Sequence, residues 1–256
     1  KAVTLTGSTG AGKKTAQNAG ANLKKTVMEL GGSDPYVVLE DADMEKTVET
    51  CVTARMINSG QSCIAAKRFI INEKIYDEFV DKFTEKMGRL DMGDPTDDGI
   101  DYGPQARGDL REDLHRQVTG SIDKGAELLL GGEIPAGDGF FYPATVLKNV
   151  QKGMPAFDEE TFVRVAAMIK AKDDEEAVRL ANDSDFGLGA SVFSRDADKA
   201  EKNAREHLEA GCCFVNDFVK SDPRLPFGGI KESGYGRELS PFGIKEFVNI
   251  KTVVVK

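Results

Sequence analysis

Strand-like segments and segments with apolar residues at helical spacing take turns along this chain, and that alternation restricts the fold more than any other feature. Residues 2–6 read as a strand, followed by a glycine-rich turn and a helix over about 13–20. Val27 to Leu30 is a second apolar run and Tyr36 to Leu39 a third. Asp41 or Asp43 can cap a helix carrying Val48, Val52 and Met56, which stops near Gly60. Arg68 to Ile71 predicts a strand, and Ile75, Phe79, Phe83 and Leu90 mark one face of the next helix. A loop at 95–104 leads to a helix carrying Leu110, Leu114, Val118 and Ile122, then to a strand at 128–130. Further strands are expected at 165–170, 190–193 and 212–216, separated by helices at about 174–182 and 196–208. The run Val248 to Val255 is strand-like. The expected fold class is therefore α/β, a largely parallel sheet flanked by helices. The stretch 220–243, rich in Gly, Pro and Ser, reads as an ordered, site-forming loop.

At 256 residues and 40% hydrophobic content, the chain can bury one large core or two smaller ones. Its formal net charge of −9 argues against nucleic acid or an anionic membrane as partner. No apolar run is long enough to span a bilayer. Cys51, Cys63, Cys212 and Cys213 have no metal-knuckle spacing, so reduced thiols in a cytoplasmic protein, and no metal site, are expected. Lys1 to Thr6 reads as a strand already under way, which suggests that an N-terminal part precedes it.

The turn Gly7-Ser8-Thr9-Gly10-Ala11-Gly12-Lys13-Lys14 nearly matches a phosphate-binding P-loop but carries Lys14 where Ser or Thr would hold magnesium. Its glycines at 7, 10 and 12 also miss the G-x-G-x-x-G dinucleotide pattern. Two readings stay open: a helix N-terminus offering N–H groups to a phosphate, or a plain strand-to-helix connection.

Three segments say more together: Glu29-Leu30-Gly31-Gly32; Gly60-Gln61-Ser62-Cys63 with Ala66-Lys67-Arg68-Phe69 behind it; and Pro226 to Lys231 continuing through Ser233-Gly234-Tyr235-Gly236-Arg237-Glu238. With Thr6-Gly7-Ser8-Thr9 and Asp158-Glu159-Glu160-Thr161-Phe162, their order and spacing resemble the NAD(P)-dependent aldehyde dehydrogenase superfamily over essentially the whole chain. The resemblance implies that Cys63 is the thiol that adds to an aldehyde and Glu29 the base that activates water against the resulting thioester. It places Gly7 and Ser8 at the pyrophosphate of NAD or NADP, Leu30 near the nicotinamide, Glu160 on the adjoining ribose and Phe162 against the nicotinamide side. From the residues alone, Cys63 could instead be a buried apolar thiol, Glu29 or Glu160 a surface carboxylate, and Phe162 a core aromatic. The tight, polar Gly60-Gln61-Ser62 favours an accessible thiol, and Glu29 between Met28 and Leu30 favours a semi-buried carboxylate.

Cys63 to Phe69 and Gly236 to Ser240 look most like succinate-semialdehyde dehydrogenases, whose substrate carboxylate calls for Arg and hydroxyl donors; Arg55, Ser221 and Arg224 are the candidates, against the plainer reading of surface arginines. Ala65 stands where some of those enzymes carry a second, redox-locking Cys. Val163-Arg164 replaces the family's usual Gly-Pro, which could move Phe162 or Glu160. The family's preceding segment, with most of the dinucleotide fold and an Asn of the oxyanion hole, is not in this sequence; loss of one oxyanion donor would cost about 3 kcal/mol. The expected organisation is the end of a cofactor domain at 1–31, an aldehyde dehydrogenase-like catalytic domain at 32–230, a return to the cofactor side at 231–247 and an oligomerisation strand at 248–256 of a homo-oligomer. Competing functions are a CoA-acylating aldehyde dehydrogenase, a P-loop nucleotide hydrolase and a non-catalytic remnant.

Overall fold

In the computed structural model, which describes residues 1–256, the alternation runs β1 (Ala2–Thr6), α1 (Thr9–Ala21), β2 (Lys25–Glu29), β3 (Pro35–Val38), α2 (Met44–Met56), β4 (Arg68–Asn72), α3 (Tyr76–Gly88), α4 (Gly108–Asp123), β5 (Glu127–Leu130) and β6 (Thr145–Lys148). It continues with α5 (Pro155–Asp158), β7 (Val165–Ala171), α6 (Asp174–Asn182), β8 (Phe186–Gly187), β9 (Gly189–Phe193), α7 (Ala197–Lys202), β10 (Cys212–Val215), β11 (Ile230–Lys231), β12 (Gly234–Tyr235) and α8 (Ser240–Glu246).

The larger sheet has seven strands in the order β10-β9-β3-β4-β7-β6-β5, parallel at every pairing except the β5–β6 edge. Its central strands are buried on both faces, which is why Arg68–Asn72 and Val165–Ala171 read as nearly continuous apolar runs. Val37, Ile70, Val165, Ala167 and Ile169 face one core; Tyr36, Val38, Phe69, Ile71, Ala166 and Met168 face the other. Helix α2 is capped locally by Asp43, whose carboxylate accepts from Lys46 N–H, while Asp41 is taken by the Ser194 hydroxyl.

A smaller sheet, β1-β2-β12, pairs β1 parallel to β2 and sets Gly234 opposite Glu29 on the other side. The two sheets present opposite ends to one region. Gly7-Ser8 and Glu29 lie at the carboxyl ends of β1 and β2, where α/β sheets usually hold ligands. In the large sheet, the segments leading into β3, β4, β7, β9 and β10 gather at the amino edge instead, and they carry Asp34, Cys63, Glu160, Leu188 and Gly211.

Several elements differ from expectation. The short elements α5 and β8 were not expected, and the stretch 220–243, read as a loop, holds β11, β12 and the start of α8. The strand Thr145–Lys148 was not legible, being four residues with polar ends behind Pro143. The helix expected over 196–208 is α7 followed by a π turn at Asn203–His207. No strand forms over 248–256; without a neighbour in this chain to pair with, Ile250, Val253, Val254 and Val255 stay exposed. No helix is long and apolar enough to cross a membrane.

Candidate active site

Cys63 sits half-buried in a turn whose backbone is left-handed at three successive residues, Asn58, Ser59 and Gly60. Gly60 has φ +75°, and a side chain there would lie 2.7 Å from the Arg164 backbone N. Fully buried cations hold the carbonyls of this turn. Arg164 Nε donates to Ser59 O at 3.3 Å and Arg55 Nη2 to Gly60 O at 2.9 Å. Lys67 Nζ donates to the carbonyls of Ser62, Cys63 and Ala65 at 3.2, 2.7 and 3.2 Å. Asn58 Nδ2 donates to Gln61 O, and Gln61 Oε1 accepts from Ala106 N–H. A turn that cannot use a helical or sheet ladder is thus satisfied by side chains.

The Lys67 ammonium also lies 3.8 Å from Glu160 Oε1. Glu160 in turn accepts from Gly32 N–H at 2.8 Å, and a side chain at Gly31 would meet its other oxygen at 2.3 Å. Asp34, at the start of β3, accepts from Gly189 N–H at 3.0 Å, while its other carboxylate oxygen has no partner. Burial pushes Asp34 up to about 6, against the pull of Lys67. Burial also raises the Cys63 thiol; Lys67 opposes that, and the charges of Asp34, Glu29 and Glu160 reinforce it.

Glu29 ends β2 at 3% exposure, with one carboxylate oxygen lacking any hydrogen bond. A side chain at Gly228 would come within 3.0 Å of that oxygen, so Phe227-Gly228-Gly229 closes over the carboxylate because it has no side chain there to obstruct it. Burial, with help from Glu238, pushes Glu29 up to about 7 despite Arg237. Such a group is half proton acceptor, half acid near neutrality.

Leu30 is buried with its N–H on Ser233 O, packed where a side chain at Gly12 would collide with it. Gly7 gives its N–H to Glu29 O at 3.0 Å, and the exposed Ser8 caps α1 by accepting from Ala11 N–H. Phe162 is 37% exposed, its ring 6.0 Å from the Lys67 ammonium.

Some expectations are corrected. Arg55 is not a substrate donor: it is fully buried, its two Nη groups donate to the Val165 and Gly60 carbonyls while Nε has no partner, and burial lowers it to about 9. Arg224, exposed at the surface, forks onto Asp222. Ser221 is exposed on the same loop. The P-loop reading fails because Gly10 and Gly12 are already helical and the Lys13 ammonium pairs with Glu232 at 2.6 Å. Val163-Arg164 does not drive Glu160 away from Gly32: Arg164 turns inward, donates to Ser59, Gly103 and Tyr142 carbonyls and stacks over the Tyr102 ring. Asp34, Lys67 and Arg164 were missed as site residues. A readable signal was the pair Lys67-Arg68 directly ahead of an apolar strand, since charges entering a core need buried partners.

The chain is similar to known proteins along nearly its whole length. The model of the "Aldehyde dehydrogenase family" matches residues 1–253. The chain is 54% identical over 252 residues to the succinate semialdehyde dehydrogenase [NAD(P)+] Sad of Escherichia coli, covering 98% of itself and 54% of that protein. It is 49% identical to a succinate-semialdehyde dehydrogenase [NADP(+)] of Mycobacterium avium, with 98% and 53% covered. The solved succinic semialdehyde dehydrogenase of Streptococcus pyogenes, in complex with NADP+, superposes with a TM-score of 0.96 at 39% identity, over 99% of this chain and 56% of that one. A lactaldehyde dehydrogenase superposes with a TM-score of 0.95 at 34% identity, over 98% and 53%. The chain thus spans about half the length of the relatives it matches, and the match of the family model over residues 1–253 shows that it belongs to the aldehyde dehydrogenase family.

Proposed function

We propose that these residues form the catalytic portion of a protein that oxidises a small aldehyde, succinate semialdehyde, to its acid with NAD(P)+. The observation that carries the reading is one pairing: a half-buried thiol on a clamped turn and a buried carboxyl poised near neutrality at the end of β2. Deprotonated Cys63 adds to the aldehyde carbon and forms a thiohemiacetal. The dinucleotide's contribution, when bound, is to accept the hydride. The Cys63 adduct is left as a thioester, and Glu29 takes a proton from the water that attacks it. Acid and thiol are then released.

The residues present suit the nicotinamide–ribose end of the dinucleotide: the Glu160 carboxylate beside Gly31-Gly32, with Leu30 and half-exposed Phe162. Gly7 and Ser8 would meet the pyrophosphate through the start of α1, whose first N–H groups lack intrahelical acceptors. Two relatives at 54% and 49% identity are succinate-semialdehyde dehydrogenases, which supports that substrate. Exposed Phe242, Ile244, Phe247 and Ile250 support a homo-oligomer in the same reading.

The test is cofactor reduction by the full-length protein with Cys63→Ala and Glu29→Gln. Both variants should lose turnover, Glu29→Gln after the first acylation; undiminished turnover in Cys63→Ala would sink the reading. Product analysis with and without CoA separates water from CoA as acyl acceptor. Calorimetry with NAD and NADP separates the enzyme from a remnant that binds neither.

A further inference from the structure

The Lys67 ammonium is fully buried, yet it makes no close ion pair; its nearest carboxylate, Glu160, is 3.8 Å away, and its three hydrogen bonds all go to carbonyls of the turn that presents Cys63. A buried ammonium is expensive, and neutral carbonyls do not balance its charge. The anions around it are Glu160 from the segment before β7 and Asp34 from the segment before β3; Arg55 from α2 lies on the same side as a further cation. The remaining neighbour whose charge favours its protonated form is Cys63 itself. Around the thiol, the carboxylates of Asp34, Glu29 and Glu160, when charged, oppose its ionisation, and Lys67 is the cation that favours it. Burial lowers Lys67 from its ordinary value, while Glu160 and Asp34 favour the ammonium.

We infer that Lys67 is a positioning residue for Cys63, closing the nucleophile turn through the carbonyls of Ser62, Cys63 and Ala65 and standing as the counter-charge of the thiolate. The inference deepens the proposed role of Cys63 and rests on it. One side chain then does two things that are usually separate: it fixes where the sulfur points and favours the ionised form that attacks. Glu160 competes with the thiolate for the same ammonium.

The experiment is the pH dependence of iodoacetamide alkylation of Cys63 in the intact protein, read by mass spectrometry on the peptide containing Cys63. Lys67→Met should move the alkylation midpoint up by about one pH unit, a roughly tenfold slower reaction at a fixed pH below the midpoint. Lys67→Arg should return most of that shift. Glu160→Gln should move the midpoint down, because it removes an anion and leaves the ammonium to the thiolate. A role confined to clamping predicts that Lys67→Met changes the rate at all pH values by one factor with the midpoint fixed, and that result overturns the inference. If Lys67→Met does not fold, Glu160→Gln decides: a midpoint unmoved or raised overturns it equally. Turnover retained by Cys63→Ala in the full-length protein would remove the proposed function without touching these midpoints, so the two failures are distinguishable.

Discussion

Around Cys63, three buried cations hold the carbonyls of Ser59, Gly60, Ser62, Cys63 and Ala65; around Glu29, a glycine loop closes over a carboxylate and leaves one oxygen with no partner. The difference matches the roles proposed for the two groups. A nucleophile must be aimed, so its backbone is cross-linked by donors that cannot easily leave. A base must hold its proton loosely near neutrality, and every hydrogen bond given to its carboxylate would pull it back toward the ordinary range. The same low-polarity surroundings therefore serve rigidity on one side and tuning on the other.

The largest expected effect breaks the rigid side. Arg164→Met strips the Ser59, Gly103 and Tyr142 carbonyls of their donor inside the core and should cost about 3–5 kcal/mol in urea unfolding. Arg224→Met, which removes an exposed fork onto Asp222, should cause no measurable change. Comparable losses in both variants would show that the buried clamp is worth no more than a surface pair.

The next effect tests the tuned side. Glu29 has a folded-state pKa of about 7 against an ordinary 4.5, so the folded chain binds this proton more tightly than the unfolded one. Stability from this group is therefore full below about 4.5 and is lost as pH rises toward 7. Glu29→Gln should leave stability at pH about 4 nearly unchanged and raise it at pH about 8 by about 3 kcal/mol. Equal unfolding midpoints for both chains at pH about 8 would mean that Glu29 is not held in a desolvated state. In the full-length protein, kcat should fall below about pH 7 as Glu29 takes up its proton.

The two sides also differ in how far they could be read from the sequence. Cys63, Glu29 and Glu160 lie in short motifs, and the strand-helix alternation follows from periodicity that each segment carries by itself. The clamp does not. Only Lys67, in the charged pair ahead of β4, leaves a local trace; Arg55 and Arg164 come from distant segments, and nothing local distinguishes either from a solvated arginine, so Arg55 reads as a substrate donor. Arg164 read as a threat to the turn before β7 because its partners, Ser59, Gly103 and Tyr142, are 105, 61 and 22 residues away. For those two arginines, charge burial is a property of the assembled edge of the sheet, not of any window of the chain.

The smallest effect asks whether the base side is truly separate from the helix next to it. Ser8 caps α1 by accepting from Ala11 N–H at 3.4 Å, and Gly7 N–H holds the Glu29 carbonyl at 3.0 Å. Ser8→Ala should cost about 1 kcal/mol through the lost cap. The Gly7–Glu29 hydrogen bond is backbone to backbone and survives that change, so the pH dependence of stability should be displaced downward without changing shape. If instead the fall in stability between about pH 4.5 and 7 shrinks in Ser8→Ala, the burial of Glu29 depends on how α1 begins. The tuning of the base would then belong to the β1–α1 turn as much as to the glycine loop at Gly228.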